Sequence, residues 1–323
     1  MNDIFNIKTE EDFRRHCLET FRYQYEQVDI YKKFADYLNI RPDEIHTIEQ
    51  IPFLPIEMFK NHFIMDRSFA PGSYFQSSGT SQSLRSRHYI ADFKLYEESI
   101  YQSFSRFIGD PEDFIFLGLL PSYSENQHSS LIYMVNFLMK TSGRSENGYF
   151  LYNHSELLGV LETLKKQQKK VILFGVSFAL LDFLEYVSGF HFPDLTVIET
   201  GGMKGRKEEI TKDELLSLLK NGFGTARIFS EYSMTELLSQ AYSLENNKYR
   251  SPPWMKILIR DPEDPLRFLP EGRTGAVNII DLANRHSCSF IATQDLGKST
   301  GDTFQILGRM DHSDIRGCSL LVT

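Results

Sequence analysis

The amino-acid sequence predicts an α/β fold: a mostly parallel sheet covered by helices, followed by a smaller β-rich lobe. Short apolar runs alternate with helix-like segments between about residues 92 and 230, which is the pattern of a parallel sheet with crossover helices. After Pro252 the pattern changes to short β-rich runs separated by Gly, Pro and Asp turns. A length of 323 residues, with 41% hydrophobic and 24% charged residues, is typical of a folded chain large enough for two lobes.

The elements are predicted in chain order from the spacing of apolar residues. Phe13, Cys17, Phe21 and Tyr25 recur every four residues, so the chain opens with a helix that Thr9 caps. Each strand of the sheet is then followed by a helix: DFIFLGLLP by 129–140, GYFLY by 155–168, VILFG by 177–187, LTVIETGG by 208–220, and ARIFSEYS by a helix that begins near its Thr-Glu pair. The second lobe contains WMKILIRD, GAVNIIDL, CSFIATQDLG and TFQILGR. We therefore expect an α/β core over 1–250 and an antiparallel or barrel-like lobe over 251–323.

Composition and charge narrow the function classes. The 43 acidic and 35 basic residues give a net charge of −8, which argues against nucleic acid as a partner. The three cysteines are too few and too scattered for a disulfide framework or a zinc site, so we expect a reducing compartment. The opening MNDIFNIKTE lacks the pattern of a secretion signal, and the longest apolar run, 171–181, is half the roughly 20 residues of a spanning helix. We expect a cytoplasmic protein without a membrane span.

The first chemically suggestive segment crowds small hydroxyl side chains around a glycine. Within YFQSSGTSQSLRSRHYI at 74–90, this cluster lies between two strand-like flanks: Ser77, Ser78, Gly79, Thr80 and Ser81. Backbone N–H groups and hydroxyls of such a loop can surround phosphate oxygens, because glycine permits close approach. An ordinary turn is the alternative reading of the same residues. The segment does not match the Walker A pattern.

Two further segments lie where strands of the predicted sheet end. Gly201 and Gly202 follow a parallel strand, at the edge where open α/β sheets bind ligands, although a plain chain turn needs the same residues. In RIFSEYSMTELLSQ, Tyr232 can stack on a base, and Glu236 can hold a hard divalent cation against phosphate oxygens. Thr235 and Glu236 are also what ordinary electrostatics favours in a first helical turn. Neither segment alone decides between these readings.

A fourth segment, TQDLGKSTGDTFQILGRMDHSDIRGCSL at 293–320, contains Asp295 and then a Gly-Arg-Met-Asp string around Arg309. An aspartate in a β-turn is by itself ordinary. In this order, however, the four segments resemble the ANL adenylate-forming superfamily, which includes acyl- and aryl-CoA ligases, adenylation domains of peptide synthetases, and luciferases. Within that superfamily, the sequence is most similar to the acyl-protein synthetase branch, which includes the fatty-acid ligase of bacterial luminescence operons. The similarity lies in six segments: SSGTSQS, LLPSYSEN, HSSLIYMV, TGGMKG, EYSMTE and GRMDHSDIRGCSL.

The resemblance implies an ANL-type adenylation domain and a two-step reaction that uses ATP and Mg²⁺. A carboxylate attacks the α-phosphate to give an acyl-adenylate and pyrophosphate, and a thiol then takes the acyl group. It also implies the site residues: Ser77, Ser78, Gly79, Thr80 and Ser81 for the β- and γ-phosphates, Gly201, Gly202 and Tyr232 for adenine, Thr235 for the α-phosphate, Glu236 for magnesium, and Asp295 and Arg309 for the ribose. The sequence thus predicts an ATP-dependent ligase for a carboxylic, and by this resemblance fatty, acid.

One departure from the superfamily concerns its C-terminal lid domain, which supplies a lysine to the adenylating site. This sequence ends at Thr323, a few residues beyond the hinge motif, so we expect no lid. Lys204, in TGGMKG, is the candidate for the missing charge, with a solvated turn lysine as the alternative. Without such a residue, the enzyme works slowly or needs a partner. His128, before a predicted helix, is a candidate for the acyl pocket, and helix capping is the other explanation.

The acyl acceptor is predicted from the surroundings of the cysteines. Cys17 lies on the apolar face of the first helix and Cys288 inside a predicted strand, so we expect both to be buried and inert. Cys318 lies in the terminal segment and is the candidate acceptor, unless it is only a small residue finishing an edge strand. A separate acyl carrier or reductase protein is another potential partner. Two other functions stay open: a CoA ligase of the phenylacetate type, and a non-catalytic subunit that binds a nucleotide or acyl-adenylate.

Overall fold

The computed structural model describes residues 3–70, 72–78, 84–121, 124–187, 189–201 and 210–310. They form two compact units, which we call unit 1 and unit 2. Unit 1 takes its described residues from Met1–Tyr96, Glu236–Ser239 and Arg250–Thr323, and unit 2 from Glu97–Thr235 and Gln240–Tyr249. This division differs from a single boundary at residue 250, because the N-terminal 96 residues group with the β-rich segment.

The α-helices of the described residues are α1 (Glu10–Gln27), α2 (Asp29–Tyr37), α3 (Met58–Asn61), α4 (Phe93–Phe107), α5 (Ser130–Ser142), α6 (His154–Lys166), α7 (Ser177–Tyr186) and α8 (Lys212–Phe223). The four helices predicted with bounds, α5 to α8, begin and end within four residues of the predicted positions. The strands are β1 (Leu54–Pro55), β2 (Tyr74–Gln76), β3 (Arg87–Tyr89), β4 (Ile115–Leu119), β5 (Gly148–Tyr149), β6 (Val171–Gly175), β7 (Thr196–Thr200), β8 (Ile228–Tyr232), β9 (Ala241–Ser243), β10 (Tyr249–Arg250), β11 (Met255–Arg260), β12 (Gly275–Asp281), β13 (Phe290–Thr300) and β14 (Thr303–Arg309). No helix among the described residues is long and apolar enough to cross a membrane.

Unit 2 contains the parallel sheet. Its strands lie in the order β9-β8-β7-β6-β4-β5, and every neighbouring pair is parallel except β8 with the short strand β9. Every residue of β4, β6 and β7 is buried, as expected for strands with helices on both faces. The alternation of strands and helices predicted from the sequence is confirmed from β4 to β8.

Unit 1 contains the antiparallel sheet that was expected after residue 250. Strands β11, β12, β13 and β14 pair in that order, and β1 adds to β13 in parallel, with Leu54 opposite Ile291. Phe290 of β13 packs its ring against Tyr31 of α2, at 6.1 Å between centroids. The side-chain amide of Gln24 in α1 donates to the carbonyl oxygen of Asn284 at 3.0 Å. These contacts attach the N-terminal helices and β1 to the β-rich segment.

One helix prediction is confirmed at its cap, and another is wrong. Thr9 caps α1 as predicted, since its Oγ1 accepts the Asp12 N–H at 3.1 Å. The helix predicted after β8 is wrong, because the chain turns over residues 235–236 and continues to β9. Within unit 1, the Asp281 carboxylate accepts the N–H groups of Leu238 at 2.8 Å and Ser239 at 3.0 Å. In a helix beginning near Thr235, the Ser239 N–H would instead donate to the carbonyl of residue 235.

Candidate active site

The predicted phosphate loop begins on a β-hairpin of unit 1. Strands β2 and β3 pair antiparallel, with Gln76 opposite Arg87. Beyond that pair, the Ser77 N–H donates to the Ser86 carbonyl at 3.1 Å, and the Ser86 N–H donates to Ser77 Oγ at 3.0 Å. Two hydrogen bonds therefore join Ser77 and Ser86 where the loop leaves the hairpin, and Ser78 beside them is exposed. The other predicted loop residues lie outside the described residues: Gly79, Thr80 and Ser81.

Glu236 lies against this hairpin. Its side chain is buried, 5% exposed, and Ser86 hydrogen-bonds to its carboxyl group. Burial raises the pKa of Glu236, although the Ser86 hydrogen bond and the positive charges of Arg309 and Lys60 oppose the rise. A buried carboxylate of this kind gains from a nearby cation. The structure thus brings the Glu236 carboxyl group into contact with the base of the hairpin.

The residues around Glu236 fit a magnesium ion. Mg²⁺ takes oxygen ligands and is usually held by one or two carboxylates together with substrate phosphates. Glu236 supplies one buried carboxylate beside the loop predicted to hold phosphates. Within the ranges that the structure describes, no three His, Cys, Asp or Glu side chains gather as a complete ligand set. A metal ion held by Glu236 would take its other ligands from phosphates or water.

Asp295 and Arg309 are paired across the antiparallel sheet of unit 1. They are direct partners in the register of β13 and β14, and Arg309 Nε lies 3.4 Å from Asp295 Oδ1. The Asp295 carboxylate is largely buried, whereas 77% of the Arg309 side chain is exposed. A carboxylate fixed on a strand can accept hydrogen bonds from two vicinal hydroxyls, as ribose recognition requires. The predicted pair is therefore in contact.

In unit 2, Gly201 directly follows the last residue of β7. Its φ of +62° lies in the left-handed region, which favours glycine. An added Cβ would meet no described atom within 4 Å. The Gly201 carbonyl accepts the Ser177 N–H at 3.3 Å and the Ser177 hydroxyl at 2.9 Å, which fixes the turn. A flat ring could lie against this backbone. Gly202 and Lys204 lie outside the described residues.

Tyr232 and Thr235 follow on the neighbouring strand of unit 2. Tyr232 ends β8 half-buried, and its ring meets Tyr249 at 5.9 Å with an interplanar angle of 60°. Thr235 is half-buried in the turn that follows. Because β7 and β8 are parallel neighbours, their ends lie at the same edge of the sheet. The structure therefore places Gly201, Tyr232 and Thr235 on adjacent strand ends.

A buried charge cluster next to the ends of β7 and β8 was not predicted from the sequence. Glu199 of β7 is 1% exposed and forms an ion pair with Lys212, the first residue of α8. Ser177 donates to the second Glu199 oxygen at 2.5 Å. Since Ser177 also holds the Gly201 carbonyl, this cluster fixes the turn at the predicted adenine site. A glutamate within the apolar run LTVIETGG was the signal available in the sequence.

Glu231 of β8 is a second buried carboxyl that the sequence reading missed. It is 6% exposed, and its Oε1 has no hydrogen-bond partner among the described residues. Burial raises its pKa to about 7, although a hydrogen bond from Ser233 opposes the rise. Glu231 lies opposite Thr200 of β7 in the sheet register. Both missed glutamates are therefore within one residue of strand ends that carry predicted nucleotide ligands.

The remaining predicted residues lie elsewhere. His128 is exposed in the turn before α5, and the cap of that helix is Ser129, whose Oγ accepts the Ile132 N–H at 3.3 Å. Its place in an acyl pocket stays a prediction. Cys17 and Cys288 are fully buried, as expected, and burial raises the pKa of both thiols, for Cys288 to about 12. Cys318 lies outside the described residues.

The sequence of this chain is similar to those of two bacterial ligases. A long-chain-fatty-acid–luciferin-component ligase of Aliivibrio fischeri is 23% identical over 331 residues, covering 94% of this chain and 85% of the relative. The ligase of the same name from Vibrio harveyi is 24% identical over 330 residues, covering 93% of this chain and 84% of the relative.

Among solved structures, 2-hydroxyisobutyryl-CoA ligase in an open conformation with 2-HIB-AMP and CoA is similar, with a TM-score of 0.73. It is 12% identical, with 94% of this chain and 70% of that chain covered. ATP-bound MatB from Rhodopseudomonas palustris has a TM-score of 0.58 at 15% identity, over 77% of this chain and 49% of that chain. These structures establish the α/β fold of adenylate-forming enzymes. The sequence model of the acyl-protein synthetase family LuxE matches residues 5–323. The chain therefore belongs to the LuxE acyl-protein synthetase family.

Proposed function

We propose that the protein uses Mg-ATP to activate a long-chain fatty acid as an acyl-adenylate and then transfers the acyl group to a protein thiol. The observation that carries the proposal is the buried Glu236 carboxylate, hydrogen-bonded to Ser86 beside the hairpin of the predicted phosphate loop. Membership of the acyl-protein synthetase family supports a protein acceptor. The two curated relatives support a long-chain acid, because their names specify that substrate.

The first step needs electrostatic help more than covalent chemistry. A carboxylate has no leaving group until AMP is attached, and negative charge builds on the α-phosphate oxygens during attack. Preorganised donors and a cation stabilise that charge. Mg²⁺, when bound, neutralises phosphate charge as a Lewis acid. Glu236 would hold that ion, and the N–H groups and hydroxyls of the loop from Ser77 to Ser81 would hold the β- and γ-phosphates.

The remaining nucleotide contacts are assigned to Asp295 and Arg309 in unit 1 and to three residues in unit 2: Gly201, Tyr232 and Thr235. Asp295, on its rigid strand, would accept the ribose hydroxyls while Arg309 holds the carboxylate in place. Adenine would lie against the open Gly201 backbone and beside Tyr232. Thr235 would donate to the α-phosphate. These assignments follow the order of the family motifs, and the contacts within each unit support them.

For the second step we propose Cys318 as the acyl acceptor. The other two thiols are buried with raised pKa values, which leaves little thiolate to react. Lys204 would supply the positive charge that a lid lysine provides in other superfamily members, and His128 would contact the acyl chain. A reductase or carrier protein that receives the acyl group is the partner class we expect.

A CoA ligase is the less favoured function. The CoA ligases among the solved structures share the fold at 12–13% identity, whereas the acyl-protein synthetase match spans nearly the whole chain. A CoA ligase would release AMP with CoA as the sole acceptor. A non-catalytic binding subunit would bind ATP and give no pyrophosphate exchange with any acid.

ATP–pyrophosphate exchange, screened over fatty, aryl and hydroxy acids, tests the activation step without knowledge of the acceptor. We expect exchange with long-chain acids, and we expect Glu236→Gln to abolish it, because that change removes one charge at nearly constant volume. Glu263→Gln, at an exposed position in unit 1, is the matched control. Exchange at the wild-type rate in Glu236→Gln would contradict the magnesium assignment. If none of the acids supported exchange in the wild-type protein, the proposed function would be contradicted.

A further inference from the structure

An exposed lysine of unit 1 lies close to the candidate metal ligand. Lys60 belongs to the short helix α3, and its positive charge acts on the buried Glu236 carboxyl group. The Lys60 ammonium group forms no hydrogen bond or ion pair with any residue that the structure describes. It is therefore a positive charge next to the proposed magnesium site that is not yet paired.

Packing against the phosphate-loop hairpin fixes the backbone on which Lys60 lies. Phe59, the preceding residue, is 1% exposed, and its ring meets that of His88 on β3 at 5.6 Å between centroids. His88 lies two residues beyond Ser86, which hydrogen-bonds to the Glu236 carboxyl group. The same short stretch of the chain therefore contacts both the helix that carries the lysine and the carboxyl group on which its charge acts.

The start of α3 is held by β13, the strand that carries Asp295. The side-chain amide of Gln294 donates to the carboxylate of Glu57, the residue before α3. Gln294 directly precedes Asp295, whose Oδ1 lies 3.4 Å from Arg309 Nε. The charge of Arg309 also acts on the candidate metal ligand, but Arg309 is already paired with Asp295. Of these two cations, Lys60 is the one that is available to a ligand.

The phosphate chain of ATP is the ligand that suits Lys60 and Glu236 together. Glu236 needs a divalent cation to hold phosphate oxygens, whereas an ammonium group binds them directly. A lysine supplies three donors and a compact charge on a flexible stem. The β- and γ-phosphates are assigned to the loop of the β2–β3 hairpin, and α3 packs against that hairpin. Lys60 is therefore placed for this end of the nucleotide.

We propose that Lys60 binds the β- and γ-phosphates of ATP and stabilises pyrophosphate as it leaves. The proposal rests on the adenylation step proposed above. In that step a carboxylate oxygen of the acid attacks the α-phosphorus. The bond from this phosphorus to the oxygen that bridges to the β-phosphate breaks, and pyrophosphate leaves with the electron pair. Negative charge grows on the leaving group in the transition state, and the Lys60 ammonium group stabilises it.

Calorimetry with two nucleotides tests this contact without any turnover. Lys60→Met keeps most of the aliphatic stem and removes the charge, so we expect Mg-ATP to bind about tenfold more weakly, the scale of one lost hydrogen bond between charged groups. AMP lacks the β- and γ-phosphates, so its affinity should stay within about twofold. Lys60→Arg keeps the charge and should bind Mg-ATP within about threefold of the wild type. Lys33→Met, at an exposed position of α2, is the matched control and should change neither affinity.

Two further measurements separate catalysis and contact from folding. At saturating Mg-ATP, Lys60→Met should slow pyrophosphate exchange by about tenfold or more, because the stabilised charge appears during the reaction. Acetylation of lysines on the wild-type protein, read by peptide mass spectrometry, reports the contact without a variant. Mg-ATP should protect Lys60 from acetylation and AMP should not, while Lys33 should react equally under both conditions.

Wild-type affinity for Mg-ATP in Lys60→Met would overturn the proposal. An equal loss of affinity for ATP and AMP would also overturn it, because that result places the lysine away from the β- and γ-phosphates. Acetylation of Lys60 that Mg-ATP does not reduce would count against it in the same way. Exchange that is absent in the wild type with every acid would instead refute the proposed function, and the two nucleotide affinities would still test Lys60.

Discussion

Replacing Lys212 with methionine should destabilise unit 2 by leaving a buried carboxylate without its cation. Glu199 is 1% exposed, and Lys212 is 24% exposed at the start of α8. Methionine keeps most of the lysine stem and removes only the charged end. The perturbation is therefore electrostatic, and it acts directly beneath the Gly201 turn.

The size of the effect follows from burial. Removing one partner of a buried ion pair costs roughly 3–5 kcal/mol, because the remaining charge is neither solvated nor paired. Two features of the cluster reduce the loss: Ser177 keeps its hydrogen bond to Glu199 at 2.5 Å, and the quarter-exposed position of Lys212 admits water. We therefore expect a loss of about 3 kcal/mol in the free energy of unfolding. The double variant Lys212→Met/Glu199→Gln should lie within about 1 kcal/mol of the wild type, since neutralising both partners is often nearly neutral.

Native-state hydrogen exchange on peptides that contain residues 196–200 measures this loss locally. The single tryptophan, Trp254, belongs to unit 1, so its fluorescence would not report the change. Lys166→Met, on an exposed position of α6, is the matched control and should cost less than about 0.5 kcal/mol. A loss below 1 kcal/mol in the free energy of unfolding of Lys212→Met would refute the electrostatic explanation. A double variant whose loss equals the sum of two large losses in the single variants would also refute it.

Three further predictions address the nucleotide, the acceptor and a buried carboxyl. Asp295→Ala should weaken ATP binding by about 1.5–3 kcal/mol, the scale of a lost charge-assisted hydrogen bond, and an affinity within threefold of wild type by calorimetry would contradict the ribose assignment. Cys318→Ser should keep pyrophosphate exchange but lose the acyl adduct seen by mass spectrometry, and an adduct that persists would place the acceptor elsewhere. The pKa of Glu231, raised to about 7, lies above the ordinary 4.5, so wild-type stability should fall by about 2–3 kcal/mol as pH rises from 4.5 to 7. The free energy of unfolding of Glu231→Gln minus that of the wild type should therefore be larger at pH 8 than at pH 5. Urea unfolding that gives the same difference at both pH values would contradict this.

The regular elements were predictable because periodicity reports burial. Strands β4, β6 and β7 are buried throughout and read as continuous apolar runs. The Ser77 to Ser86 hairpin was also visible, as a hydroxyl-rich turn between two strand-like flanks. The contact of Asp295 with Arg309 could be expected from the motif order, since strands β13 and β14 are joined by a short turn.

Features that depend on distant contacts were not predictable. The helix expected after β8 is replaced by a turn because Asp281, more than 40 residues away, takes the N–H groups of Leu238 and Ser239. The N-terminal helices join the antiparallel sheet through Gln24 and Tyr31, which carry no local signal of that partner. The cluster of Tyr23, Asp66 and His286 joins three distant chain segments, so no spacing in the sequence reveals it.

The intact mass of the protein after incubation with Mg-ATP and a long-chain fatty acid shows whether the acyl group reaches a protein thiol. We expect a gain of one acyl mass that requires ATP, accompanies AMP release, and disappears with neutral hydroxylamine, as a thioester does. Activation without any protein adduct, together with AMP release that occurs only when CoA is added, would contradict transfer to a protein thiol.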